Sequence, residues 1–377
     1  MEITDYFEGF CLESEEHNDE KLSSYVDFYY ESAAIDITVY DVIIIGVQEG
    51  RLSLKNETCA LAPDEIRSKL YDLYKGDWDL KVLDLGNLKI GKSIDDTYFA
   101  LKEITEYFIK ENKLLLVLGG GHDLITPIYN GHSTIGKPLS FASADAYLDF
   151  QDGESHHSRS FLSNLVSAST SLLSKYTLLG YQSYLCSSVE VELLNRMEFN
   201  LVRLGEFNAD IREVEPYLRD LDHLSIDLSV VKSSDAPATV YSSPNGISAE
   251  SLCTMMRYAG MSHGIKSILF SELNPRLDKN QQSSKVFAQS IWYFFEGLHL
   301  RNDDFPDLSS SNFKKFHVNA GFSELIFYKS ISSGRWWVEL LTNSNQSKIA
   351  LLSCSVNDYD KAVQGHISTR LSSQLKF

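Results

Sequence analysis

Acidic and imidazole side chains gather in four short segments of this chain: Leu118-Gly119-Gly120-Gly121-His122-Asp123, Ser143-Ala144-Asp145-Ala146-Tyr147-Leu148-Asp149, Ser225-Ile226-Asp227-Leu228-Ser229 and Ser271-Glu272-Leu273-Asn274-Pro275. Each comes at the end of a run of strand character, and open α/β sheets place their active sites just past strand ends. Directly after Asp149, the loop Gln151–Arg159 adds Glu154, His156, His157 and Arg159 near the expected pocket mouth. His156 or His157 is suited to shuttle a proton, because an exposed imidazole titrates near a pKa of about 6.5. Plain solvation accounts for such a pair as well. Arg159 has the fork to hold a substrate carboxylate, while a surface ion pair or the start of the next helix explains it equally.

Other chemistries lack their residues. The run Gly119-Gly120-Gly121 has neither the G-x-G-x-x-G spacing nor the G-K-[ST] ending of a phosphate cradle. Ser160, Ser225 and Ser229 sit in no G-x-S-x-G elbow, and no cysteine lies in a nucleophile motif, so covalent catalysis is unsupported.

These segments need a scaffold, and short β-branched runs alternating with stretches of helical period supply one. Strands are predicted at Asp41–Val47, Leu80–Leu85, Leu114–Leu118, Leu139–Ala142, Tyr176–Gly180, Asn200–Leu204, His223–Leu228 and Ser267–Leu273. Runs such as Val42-Ile43-Ile44-Ile45 and Leu114-Leu115-Leu116-Val117 are apolar on both faces, which implies a sheet covered on both sides and hence a three-layer α/β/α sandwich. Helices are predicted between them, among them Pro63–Tyr74, Ile94–Glu111, Ser158–Lys175, Val189–Met197, Ile211–Asp220, Ser248–Ala259 and Ser283–Leu298. No linker or charge block interrupts this order before about residue 300. The expected organisation is an acidic N-terminal extension over 1–35, one α/β domain over 36–300, and a C-terminal extension over 301–377. The last contains a hairpin around Ser332-Ser333-Gly334 that packs on the same domain, because Trp336 and Trp337 need apolar cover.

With 34 Lys+Arg against 52 Asp+Glu in 377 residues, the net charge of −18 disfavours nucleic-acid and anionic-membrane partners and suits a cationic small molecule. Five scattered cysteines without a C-x-x-C argue for a reducing compartment. The first ten residues carry Glu2, Asp5 and Glu8 where a signal peptide needs basic residues, so the expected location is cytoplasmic.

Taken together, the four segments in this order and spacing resemble the ureohydrolase family of arginase, agmatinase and formimidoylglutamase. Gly46-Val47, Ala62-Pro63 with Ile66-Arg67, and Ser290–Gly297 extend the likeness over nearly the whole chain. Gly119–Asp123, Ser234-Asp235-Ala236-Pro237 and Pro244-Asn245-Gly246 are most similar to the formimidoylglutamase branch. The resemblance implies a mainly parallel eight-stranded sheet with helices on both faces, association into trimers or hexamers, and hydrolysis of a C–N bond in an amidine or guanidinium group by a hydroxide bridging two Mn²⁺ ions.

The family pattern draws its metal ligands from one His after the glycine run, an Asp-x-His-x-Asp segment and an Asp-x-Asp segment. This chain keeps His122, Asp145, Asp149 and Asp227, which resemble the first metal's ligands and the two bridging carboxylates. It departs at Tyr147, where the family has His, and at Ser229, where it has Asp. A phenol with a pKa of about 10 and a hydroxyl are poor Mn²⁺ ligands near neutral pH. Three readings follow: one intact Mn²⁺ site, a metal-free remnant, or a full pair rescued by ligands such as Asp123 or Asp235. Without metal, at least one of the clustered carboxylates should titrate high. The resemblance gives Asp149 a catalytic place, with His157 as the proton-carrying candidate, and gives Glu272 the cationic end of the substrate, with Arg159 as a candidate for its carboxylate. The expected function is a formimidoylglutamase-like hydrolase of linear amidines or guanidinium compounds. The alternative is a non-catalytic binding or scaffold protein with the same fold.

Overall fold

The structure, a computed structural model, describes residues 3–10, 18–30, 35–151, 156–168, 171–302, 304–306, 312–320, 323–340 and 350–374. Eight parallel strands form its centre: β1 (Val42–Gly46), β2 (Val82–Leu88), β3 (Leu114–Leu118), β4 (Leu139–Ala144), β5 (Leu173–Tyr181), β6 (Asn200–Arg203), β7 (His223–Asp227) and β8 (Ser267–Ser271). Their order across the sheet is β2-β1-β3-β8-β7-β4-β5-β6. The three-layer α/β/α sandwich read from the sequence is present. Every residue of β1, β3, β7 and β8 is buried, because helices cover both faces.

The two faces can be followed residue by residue. Ile44, Leu114, Leu116 and Leu118 point into one core with the helices Ala62–Leu70, Ala249–Gly260 and Gln282–His299. Ile43, Ile45, Leu115 and Val117 point into the other, with Ile94–Lys110, Ile125–Ser133 and Phe161–Ser167. That alternation is the period-2 geometry of a strand. Ser93 and Asp96 form a reciprocal capping box at the start of Ile94–Lys110, which matches the acidic opening seen in the sequence. Arg67, fully buried, forks onto Asp84 of β2 through Nε at 2.8 Å and Nη2 at 3.0 Å, tying its helix to the sheet.

Two sequence expectations shift. The helix predicted over Ser158–Lys175 is shorter, Phe161–Ser167, because β5 already begins at Leu173 and pairs with Leu139 of β4. The helix predicted over Ile211–Asp220 is a 3-10 turn, Ile211–Val214, followed by the short helix Glu215–Leu218, where Pro216 sits at the new N-terminus. Two short strands that the sequence did not announce, Phe7–Glu8 and Val26–Phe28, both pair with β2 and continue the sheet at that edge.

Beyond residue 300 the hairpin is the middle of a four-stranded antiparallel sheet, β9 (Phe313–Ala320), β10 (Ser323–Ser330), β11 (Trp336–Leu340) and β12 (Ala350–Cys354). Val318, Leu325, Phe327, Trp336, Val338 and Cys354 give it a small core of its own. It joins the main domain through polar contacts: Arg219 Nη1 donates to Trp336 O at 2.7 Å and its guanidinium lies 4.6 Å from the Trp337 ring, while Arg335 Nε is 3.1 Å from Glu215 Oε1.

Candidate metal centre

The four chemistry-bearing segments lie at the C-terminal ends of β3, β8, β7 and β4, which are consecutive neighbours at the middle of the sheet. Residues up to 150 positions apart are thereby brought together.

His122 is set by the loop that leaves β3. Gly119 and Gly120 take φ of +79° and +86°, and a Cβ at Gly120 would stand 2.7 Å from Glu49 O and 3.0 Å from Val47 O. Glycine lets the chain turn there beneath the loop after β1. The His122 amide donates to Glu272 Oε1 at 2.9 Å, and Nε2 pairs with Ser225 Oγ at 2.8 Å, which in turn pairs with Ser143 Oγ at 2.7 Å. This fixes the ring so that Nδ1 faces three carboxylate oxygens: Asp149 Oδ2 at 2.9 Å, Asp145 Oδ2 at 3.4 Å and Asp227 Oδ2 at 3.5 Å.

Each aspartate is locally oriented. Asp145 Oδ1 accepts from the Tyr147 amide at 2.9 Å and from Ser229 Oγ at 2.8 Å. Asp227, the last residue of β7, accepts from the Ser229 amide at 2.8 Å in an Asx turn. Asp149 is held at φ +49°, as Glu272 is at +62°, both in the left-handed region that costs energy for side chains other than glycine.

The electrostatics call for a positive charge. Burial raises the Asp145 pKa to about 6, with the Asp149 charge adding to it, and burial followed by the Asp145 charge raises that of Asp227. Burial opposes a charged His122, yet its contacts with the three aspartates leave its pKa well above the ordinary imidazole value. Asp145 Oδ2 and Asp149 Oδ1 are buried without a hydrogen-bond partner. One donor atom from each of His122, Asp145, Asp149 and Asp227 lies within 4.8 Å of the others, all four buried. Imidazole plus carboxylates with orphaned oxygens is a donor set that fits a hard divalent cation such as Mn²⁺.

The two replaced positions have other employment. Ser229 gives its hydroxyl to Asp145. Tyr147 turns its ring face to Arg159, and burial raises its phenol pKa, which keeps it neutral. Asp123 and Asp235, the candidates for rescuing a second ion, do not join the cluster: Asp123 accepts from Tyr98 OH at 2.6 Å, and Asp235 caps the Ala249 amide at 2.9 Å.

Glu272 is buried, with Oε1 on the His122 amide and Oε2 accepting from Ser53 Oγ at 2.6 Å and Asn56 Nδ2 at 2.8 Å. Burial, then the Asp227 charge, pushes its pKa up to about 8. In the loop after Asp149, Glu154 lies outside the described residues. His156 is engaged by Tyr98 OH at 3.2 Å and Asn164 Nδ2 at 2.6 Å. His157 Nδ1 accepts from the Arg159 amide at 3.1 Å, which leaves Nε2 as the nitrogen that carries the proton of the neutral ring. The Arg159 side chain turns inward, with Nε 3.1 Å from Asp149 Oδ1.

Some participants went unread in the sequence. Ser143 and Ser225 each stand two residues before an aspartate, Asp145 and Asp227, so period-2 spacing along a strand was the available signal for their sharing a face. Ser53 and Asn56 reach the site from the loop after β1 and Tyr241 from another loop, with no local pattern to announce them.

The arginase family model matches residues 40–296. The chain belongs to the arginase family. This arginase-family chain is 25% identical over 286 residues to a formimidoylglutamase of Corynebacterium efficiens, covering 69% of this chain and 85% of the relative. It is 23% identical over 269 residues to one of Klebsiella pneumoniae, covering 67% and 84%. A Trypanosoma cruzi formiminoglutamase solved with Mn²⁺ superposes with a TM-score of 0.64 at 20% identity, over 70% of this chain and 95% of that one. A Bacillus subtilis formimidoylglutamase gives 0.68 at 17% identity, over 78% and 97%. These superpositions establish the arginase-like fold. No helix among the described residues is long and apolar enough to cross a membrane.

Proposed function

We propose that this chain hydrolyses a C–N bond of a small linear amidine or guanidinium substrate, in the manner of a formimidoylglutamase, with one Mn²⁺ held by His122, Asp145, Asp149 and Asp227. The observation that carries this reading is the buried convergence of four donor groups on one point at the C-terminal ends of the central strands. A divalent cation there would polarise the substrate and lower the pKa of a water molecule.

The chain's own residues supply orientation, charge and a proton path. Ser225 and the Glu272 carboxylate hold the His122 ring and backbone in place. Asp149, with Oδ2 on His122 and Oδ1 beside the Arg159 guanidinium, is a carboxylate that could accept a hydrogen bond from a nucleophilic water. His157 Nε2 is the candidate for handing a proton to the leaving nitrogen. Burial and then the Arg159 charge lower its pKa, so the ring is neutral near pH 7 and acts by first taking up the proton the attacking water releases, at Nδ1 in place of the Arg159 amide, and then giving up the one on Nε2. Glu272, whose pKa of about 8 leaves it largely protonated at neutral pH, would add negative potential for a cationic substrate end once a cation at the centre lowers that pKa.

The test is turnover. The full chain loaded with Mn²⁺ is assayed for formamide, ammonia or urea release from N-formimidoyl-glutamate, arginine, agmatine and guanidinobutyrate. Formamide from N-formimidoyl-glutamate is expected. Turnover on none of the four, with Mn²⁺ shown to be bound, would overturn the catalytic reading in favour of a binding protein with this fold.

A further inference from the structure

The side of the centre that has lost two ligands holds a cation of its own. Arg159 is only 9% exposed, and the anionic atom it approaches is Asp149 Oδ1, the oxygen turned away from His122. Its Nε stands 3.1 Å from that oxygen without the alignment of a hydrogen bond. Its Cζ lies 3.4 Å from the centre of the Tyr147 ring and 5.0 Å from that of Tyr241, two rings 5.8 Å apart. A guanidinium is weakly hydrated and stacks on aromatic faces, so Tyr147 stabilises it where an imidazole ligand would instead bind a metal ion.

We infer that the Arg159 guanidinium takes the place of a second metal cation, making the centre a one-ion site with a built-in positive charge. The inference rests on the proposed Mn²⁺ site. Four carboxylates balance two doubly charged ions. Here three carboxylates, Asp145, Asp149 and Asp227, balance one such ion plus one guanidinium. The exchange is therefore concerted: Ser229 removes a carboxylate, Tyr147 removes an imidazole and provides a ring face, and Arg159 fills the charge. On this account Tyr147 and Ser229 are parts of a different charge arrangement and not a damaged two-ion site.

The inference makes opposite demands from those of a purely structural Arg159. A fixed positive charge next to the ligands repels an incoming Mn²⁺. Arg159→Met, which keeps most of the stem and removes the charge, should therefore tighten Mn²⁺ binding at least tenfold. Arg159→Lys should stay within a few-fold of the parent. A side chain that merely props the loop would give weaker binding in both.

The experiment is calorimetric titration of the chelator-stripped full chain with MnCl₂, together with metal analysis of the loaded protein. The parent and Tyr147→His/Ser229→Asp, with Arg159 still in place, should each take up one ion. Adding Arg159→Met to that pair should allow a second. Two ions in the double variant overturn the inference. So does unchanged or weaker binding in Arg159→Met, a single variant whose reading does not depend on the triple one folding. A parent that takes up no Mn²⁺ overturns the metal reading and this inference with it, whereas a parent with one ion and an insensitive Arg159→Met overturns the inference alone.

Discussion

Asp145→Asn should make the metal-free protein more stable and the Mn²⁺-loaded protein less so. In the absence of metal, burial and the neighbouring Asp149 hold the Asp145 pKa at about 6, against an ordinary value of 3.8. About two pKa units correspond to roughly 3 kcal/mol of penalty for keeping this carboxylate ionised at neutral pH. Asparagine retains an oxygen for the Tyr147 amide and Ser229 hydroxyl, and removes the buried charge from the unpartnered Oδ2 position, 3.4 Å from His122 Nδ1. Since the substitution also removes an attraction for His122 and Arg159, the expected net gain is about 1–3 kcal/mol, a rise of a few degrees in Tm for a chain of this size. The sign follows from linkage. A carboxyl whose folded pKa is raised contributes its full stability below about pH 4 and loses it as pH rises through about 6. The variant's advantage should thus open between those values and persist above them. Saturating Mn²⁺ reverses the order, because a ligand at a thousand times its Kd adds about 4 kcal/mol to the parent and little to a variant lacking one ligand. Scanning calorimetry in EDTA and in MnCl₂ reads both arms. A variant less stable than the parent in EDTA at neutral pH, or equal stabilisation of both proteins by Mn²⁺, would refute the picture of a carboxylate cluster built around a cation.

Two further outcomes are expected. Gly120→Ala forces a Cβ to within 2.7 Å of Glu49 O at a φ of +86°, so it should cost about 2 kcal/mol or more in thermal stability and weaken Mn²⁺ binding by displacing the His122 loop. His132 and His223, buried at the opposite end of the sheet and joined through Ser267 Oγ at 2.7 Å from each, are kept neutral mainly by burial, His132 down to a pKa of about 3. The unfolded chain binds protons there from about pH 6.5 and the folded chain does not. Stability should therefore fall as pH drops from about 6.5 toward 4, by up to ~1.4 kcal/mol per pH unit for each histidine, and His132→Gln should remove part of that slope in acid-denaturation curves.

The eight central strands were legible because parallel strands buried on both faces are written as continuous apolar runs, and Val42–Ile45 and Leu114–Val117 contain nothing else. The position of the centre was legible for a related reason: His122, Asp145, Asp227 and Glu272 each stand at or just past the end of such a run. Elements fixed by distant partners were not. Phe7–Glu8 is too short to show a period and exists as a strand because Leu88 and Asn87 pair with it. Residues 173–175 have helical texture but extend β5 because β4 offers a ladder. The hairpin at Gly334 showed itself through its turn, while β9 and β12 become strands by pairing with it. Arg159 is the most instructive case. Its type and place in a loop left a substrate clamp, a surface ion pair and a helix start equally open, and its position in the fold is set by a ring at Tyr147 and another at Tyr241, one of them more than 80 positions away.

The central claim is that His122, Asp145, Asp149 and Asp227 together hold one divalent ion, and anomalous scattering at the manganese edge from crystals of the full chain grown with MnCl₂ tests it most directly. The account predicts one manganese peak per chain, among the His122 Nδ1 and the three aspartate carboxylates, with none beside Tyr147 and Ser229. A second peak against those two residues, or an empty cluster at saturating Mn²⁺, would contradict it.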